Sequence, residues 1–163
     1  MRQGRLVDFN DSSNSPFSPE RAGIVPARQL AKLIYSGKFT EGEMMKKLTG
    51  KGGLYAHLGT ADCIEVERRI QAGDAQAKLV YEAMAYQTAK GIGAFAAVLS
   101  GRVDAVILTG GIAHSEYFTN MIREKVSFLA PIYIWPGEFE MESMAHGALR
   151  VLRGQETAKE FDK

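Results

Sequence analysis

The run Val103-Asp104-Ala105-Val106-Ile107-Leu108-Thr109, closed by Gly110-Gly111, constrains the fold more than any other segment of this chain. It is nearly continuous in apolar and β-branched residues, the pattern of a strand covered on both faces. The residues after it repeat the alternation. Ser115 is placed to cap a helix carrying Phe118, Ile122, Val126 and Leu129. Ile132 to Trp135 reads as a second buried strand, and Pro136-Gly137 turns into a last helix around Glu140 to Leu152. Strand, helix, strand, helix argues for a parallel pair with a right-handed crossover and helices over the sheet.

The upstream two thirds read differently. Gly4 to Asn10 alternates weakly through Leu6, Val7 and Phe9, which predicts one short strand before the polar loop Asn10 to Pro16. From Pro26, Leu30, Leu33 and Ile34 form a helical stripe that stops at Gly37. Thr40 and Glu43 make a capping box for a second helix, ended by Gly50, Gly52 and Gly53. Asp62 with Glu65 opens a short helix, Gly73-Asp74 interrupts it, and a long helix runs from Ala75 to about Leu99. Val80, Met84, Thr88, Gly91, Phe95 and Val98 predict its buried face. A three-stranded sheet is possible but thin, and the polar tail 154–163 is expected to fray.

Composition narrows the class. The 163 residues are 45% hydrophobic with a formal net charge of +1, so a single domain can bury its own core and has no long-range field for nucleic acid or an anionic membrane. Cys63 is the one cysteine, which excludes a disulfide within the chain. The most apolar stretch, Ile92 to Gly110, is broken by Ser100, Arg102 and Asp104, and the first residues lack a signal pattern. A cytoplasmic protein is expected.

Three places can carry chemistry. Gly110-Gly111-Ile112-Ala113-His114-Ser115 sits at the carboxyl end of a predicted strand and before a helix, where α/β proteins bind ligands. Two glycines allow close approach to the backbone, and the helix amides attract negative charge. The same residues also suit a plain tight turn needing positive φ. Glu138 and Glu140 lie near the start of the last helix; its dipole alone accounts for a carboxylate there, and the alternative is a carboxylate holding a water of hydrated Mg²⁺. Arg21, in a loop bracketed by Pro19 and Pro26, either clamps a phosphoryl or carboxylate group or is simply solvated. His57, His114 and His146 have no Cys or carboxylate at ligand spacing, which argues against a zinc site. His57 is read as a surface residue near a helix end. No Walker loop, no GxGxxG turn and no serine, histidine and acid grouping is present.

Taken in order, Pro16-Phe17-Ser18-Pro19-Glu20-Arg21-Ala22-Gly23, Gly50-Lys51-Gly52-Gly53-Leu54, Val103 to Ser115 and Pro131 to Arg153 resemble the butyrate kinase family. The resemblance covers essentially the whole chain. It implies a place in the acetate and propionate kinase branch of the sugar kinase, Hsp70 and actin superfamily, whose members close two domains of ribonuclease-H-like topology on ATP. The implied reaction moves a phosphoryl group between ATP and butanoate, running in fermentation from butanoyl phosphate and ADP. By the same resemblance Gly110, Gly111 and Ile112, with Ala113 and Ser115, contact adenosine, Arg21 stabilises the transferring phosphoryl group, and Glu140 orients Mg²⁺ through water.

The resemblance also implies an incomplete unit. The chain matches the carboxy-terminal portion of the family, residues 1–163 forming the second domain without its first two strands, so the sheet is expected to be open between Leu6–Phe9 and Val103–Leu108. The partner implied is the missing amino-terminal half, in the same chain or another, and the complete enzyme is expected to be a homo-oligomer. A non-catalytic nucleotide-binding remnant and an oligomerisation module are the alternatives.

Overall fold

The computed structural model describes every residue except Ser12, Lys159 and residues 161–163, so the predicted frayed tail lies partly outside the described residues. Among the described residues seven helices and two strands follow in the order α1 (Ala27–Ile34), α2 (Glu41–Leu48), α3 (Gly53–Leu58), α4 (Cys63–Gln71), α5 (Ala75–Val98), β1 (Val106–Gly110), α6 (Glu116–Val126), β2 (Ile132–Pro136) and α7 (Glu140–Leu152). A 3-10 turn, Gly111–His114, joins β1 to α6. No helix among the described residues is long and apolar enough to cross a membrane.

Local signals set the helix starts. The Thr40 hydroxyl accepts from the Glu43 amide while the Glu43 carboxylate accepts from the Thr40 amide, so two helix-end donors are satisfied reciprocally. Asp62 accepts from the amides of Ile64 and Glu65, and Asp74 from that of Ala77 at 2.9 Å. The Asp74 carboxylate also receives Arg69 at 2.7 Å, tying the end of α4 to the start of α5.

α5 is the hub, packing against α3, α4 and α6. Its buried residues are Ala77, Val80, Tyr81, Met84, Ala85, Ala89 and Ala96. They meet Leu54 of α3, Val66 of α4 and Phe118, Ile122 and Val126 of α6 in one core. Only Val80 and Met84 of the six predicted face residues are buried. Thr88 instead borders one open groove and Phe95 and Val98 another, while Pro16 lies against Gly91, so the stripe exists but its second half is only partly covered. The alanines took the core face because small side chains let helices approach closely.

Among the described residues the sheet has two strands, not the possible three. β1 and β2 are parallel, with Val106 beside Ile132 and Gly110 beside Pro136. The strand expected in Gly4 to Asn10 does not form. Arg2 and Arg5 make a local antiparallel bridge, and Leu6 and Phe9 are 66% and 64% exposed. A strand of that length is stable only when its backbone pairs with a neighbour, and none among the described residues lies beside it. The expectation of cover on both faces also fails. Val106 and Leu108 turn towards the core, whereas Ile107, Tyr133 and Trp135 are 65%, 59% and 64% exposed on the other face. α7 forms over the predicted residues but buries none of them, so it does not cover that face.

Candidate functional site

Gly110 closes β1 at φ +89°, ψ 176°, a region that only glycine enters without strain. Its amide donates to the Gly137 carbonyl at 3.1 Å, and the Gly137 amide donates back at 3.2 Å. This pair brings the start of α7 alongside the 3-10 turn, at the carboxyl ends of both strands. Gly111 faces open space: a Cβ there would meet nothing within 4 Å. The turn thus presents bare backbone at the mouth of the sheet, as a ligand approaching its amides requires.

The far end of the turn is held by Ser115. Its amide donates to the Ile112 carbonyl at 3.0 Å, and its hydroxyl accepts from the Phe118 amide at 2.9 Å, capping α6. The same hydroxyl donates to Glu67 Oε1 at 2.5 Å, and Tyr81 Oη donates to that oxygen at 2.6 Å. Tyr81 is fully buried, stacked on Tyr117 and tilted against Phe118. Burial foremost, and then its bond to Glu67, push the pKa of the phenol up, so it remains a donor. Cys63 is pushed up to about 11, chiefly by burial.

Beside the turn runs an apolar groove of about 370 Å³ whose walls include Pro19, Met84, Ile92, Leu108, Ile112 and Phe118. Among the described residues no strand occupies the edge of β1 other than that paired with β2. The groove is therefore open between the Phe17–Pro19 segment, α5 and β1.

Arg21 lies just beyond that segment. The loop is fastened by backbone rather than side chains: the Glu20 carbonyl accepts from Gly50 and Gly52 at 2.8 and 3.0 Å, the Ser18 carbonyl from Leu54 at 3.1 Å, and Arg21 bridges Thr49. Such close approach explains the glycines. Gly53 has φ +55°, and a Cβ on it would collide with the Ser18 carbonyl. The Arg21 side chain is exposed and forms no ion pair among the described residues. Glu140 is the first residue of α7, also exposed.

The structure thus places Gly110, Gly111, Ile112, Ala113 and Ser115 in one continuous turn and Glu140 three residues past the glycine paired with it. The Arg21 loop borders the same groove through Ser18 and Pro19. No hydrogen bond or ion pair among the described residues joins Arg21 to Glu140. His57 is exposed in the last turn of α3, edge-on to Phe17. Among the described residues no three His, Cys, Asp or Glu side chains cluster as a metal site. Sequence reasoning missed Glu67 and Tyr81. Their meeting with Ser115 depends on three helices converging, and no local pattern signals it.

Comparison with known proteins fits this architecture. Residues 21–132 match the model of the acetokinase family. Probable butyrate kinase 2 of Caldanaerobacter subterraneus subsp. tengcongensis is 56% identical over 160 residues, covering 98% of this chain and 45% of the relative. Butyrate kinase 2 of Clostridium acetobutylicum is 51% identical over 162 residues, covering 98% and 46%. The crystal structure of Porphyromonas gingivalis acetate kinase superposes with a TM-score of 0.76 at 20% identity, over 85% of this chain and 41% of that one. Acetate kinase from Entamoeba histolytica gives 0.68 at 15% identity, over 84% and 43%. These two likenesses establish the fold alone. The chain spans less than half the length of the curated relatives it matches. It has the acetate and sugar kinase fold of the actin and Hsp70 group, mixed α/β with an incomplete parallel sheet, and it belongs to the acetokinase family.

Proposed function

We propose that residues 1–163 act as the nucleotide-binding portion of a butyrate kinase, which exchanges a phosphoryl group between ATP and butanoate. The observation that carries this reading is the 56% and 51% identity with two butyrate kinases in matches that span 98% of the chain. Gly110 and Gly111 admit the nucleotide to the backbone, Ile112 and Ala113 give its base and ribose an apolar wall, and the start of α6 favours its negative charge.

Arg21 supplies a positive fork for the transferring phosphoryl group from an anchored stretch of backbone. Its loop is anchored by five backbone hydrogen bonds to residues 48–55, which limits the motion that would blunt such a contact. The exposed carboxylates at the start of α7 do not converge into an all-protein cation cage among the described residues. This arrangement fits Mg²⁺ that keeps its waters and is otherwise held by phosphate oxygens, and Glu140 is the residue that would hold one of those waters. Magnesium supplies neutralisation of phosphate charge when bound.

Phosphoryl transfer depends on alignment and electrostatic stabilisation of all reacting groups. Contacts to adenosine bind ground and transition states equally and give no acceleration by themselves. The chain therefore works only with the remainder of the kinase, in cis or in trans. The exposed face of Ile107, Tyr133 and Trp135 and the open edge of β1 support such a partner, because apolar area of this kind is stable when covered.

Calorimetric titration with ADP tests the nucleotide assignment. Weak saturable binding that Gly111→Val removes is the expected result. No binding to the unsubstituted chain, or unchanged binding in the variant, would overturn it.

A further inference from the structure

The carboxylate of Glu67 belongs to none of the motifs that point to nucleotide or phosphoryl chemistry, yet it meets the end of the glycine turn. One of its oxygens receives Ser115 Oγ at 2.5 Å and Tyr81 Oη at 2.6 Å, joining α4 to α5 and α6. Because Ser115 donates its proton to Glu67, a lone pair of its oxygen is directed to the Phe118 amide at 2.9 Å, so the cap and the bridge reinforce each other. The opposite end of the turn is fixed by the Gly110 and Gly137 pair. Between these two fastenings lie Gly111, Ile112, Ala113 and His114, half-held by the core through buried Ala113.

We infer that Glu67 is a positioning residue for the nucleotide turn: it sets the orientation of Ser115 and thereby holds the Gly111–His114 backbone ready for its ligand. The inference rests on the nucleotide reading for its functional consequence, but not for its structural one. A charged acceptor is suited to the task, since hydrogen bonds to a carboxylate are shorter and stronger than those to neutral oxygen. Tyr81, buried and kept protonated, locks the carboxylate from the core side.

The test measures amide hydrogen exchange of the turn and ADP affinity in the 163-residue chain carrying Glu67→Ala or Glu67→Gln. In the alanine variant, exchange of the hydrogen-bonded Ser115 and Phe118 amides is expected to rise about 10-fold and ADP binding to weaken by a similar factor, while exchange in α2 stays unchanged. Glutamine retains an oxygen that both hydroxyls can reach, and it is expected to restore most of both properties. Exchange of the Ser115 and Phe118 amides unaltered by Glu67→Ala, a uniform rise throughout the chain, or glutamine as damaging as alanine would overturn the inference. Should Glu67→Ala fail to fold, Glu67→Asp keeps the charge and withdraws the oxygen by one methylene. A rise of exchange at those two amides, with α2 unchanged, then supports the inference, and unchanged exchange contradicts it. The exchange readout needs no ligand, so failure of the unsubstituted chain to bind ADP counts against the nucleotide reading alone.

Discussion

Gly110 and Gly137 exchange backbone hydrogen bonds in both directions, at 3.1 and 3.2 Å, and this pair ties the mouth of β1 to the entrance of α7. The two adjacent glycines of the turn therefore do different work. Gly110 needs its positive φ, whereas Gly111 has ordinary φ and open space around it. Gly110→Ala is expected to cost about 1–3 kcal/mol of stability through backbone strain. Gly111→Val is expected to leave stability within about 0.5 kcal/mol, as for a surface position. Urea unfolding of both variants checks the contrast; equal losses would refute it.

Gly53 is among the glycines that admit no side chain. A methyl there enters the space of the Ser18 carbonyl and strains a backbone at φ +55°. Gly53→Ala is expected to destabilise the chain by more than about 2 kcal/mol and to loosen the Arg21 loop. Denaturant midpoint and proteolytic cleavage near residues 18–22 report the two effects. A variant with the original midpoint and an intact loop would contradict the packing described.

Much of the helical scaffold was legible because its signals are local. Thr40, Asp62, Asp74 and Ser115 each satisfy amides within three residues, so their chemistry is readable from spacing alone. The strand expected at Leu6 to Phe9 failed for the opposite reason, since its backbone needs a neighbour that the described residues do not provide. Likewise the apolar run Val103 to Thr109 reads as doubly covered, yet β1 begins at Val106 and Ile107 is bare. The glycine turn of the candidate site was recognisable in sequence. Its anchor at Glu67 lies 48 residues away from Ser115 and became visible only when α4, α5 and α6 were packed together.

Cys63 gives a chemical readout of the core around Tyr81. Burial raises its thiol from 9.0 to about 11, which lowers the thiolate fraction at pH 8 by about 100-fold and slows alkylation accordingly. The folded state then keeps a proton that the unfolded state releases. Its contribution to stability is intact below pH 9.0 and lost as pH rises towards about 11. Iodoacetamide labelling at the rate of a small free thiol would contradict this burial, and Cys63→Ala is expected to flatten the alkaline decline.

Asp74 works at the acid end. The Ala77 amide, and after it the Arg69 guanidinium, hold its carboxyl below the ordinary 3.8. A lowered folded value gives stability that is present above 3.8 and lost as pH falls through the folded pKa. Asp74→Asn retains an acceptor for Ala77 but cannot titrate, and is expected to unfold with a shallower acid dependence. Identical acid transitions in the two proteins would show that this carboxylate is not shifted.

Butanoate-dependent hydroxamate formation from ATP, assayed with the chain alone and with the part of Clostridium acetobutylicum butyrate kinase 2 that lies outside the matched region, bears most directly on the proposed role. The nucleotide-side assignment predicts no turnover by the chain alone and measurable turnover once the complement is added. Turnover by the 163 residues unaided, or none with a folded and bound complement, would contradict it.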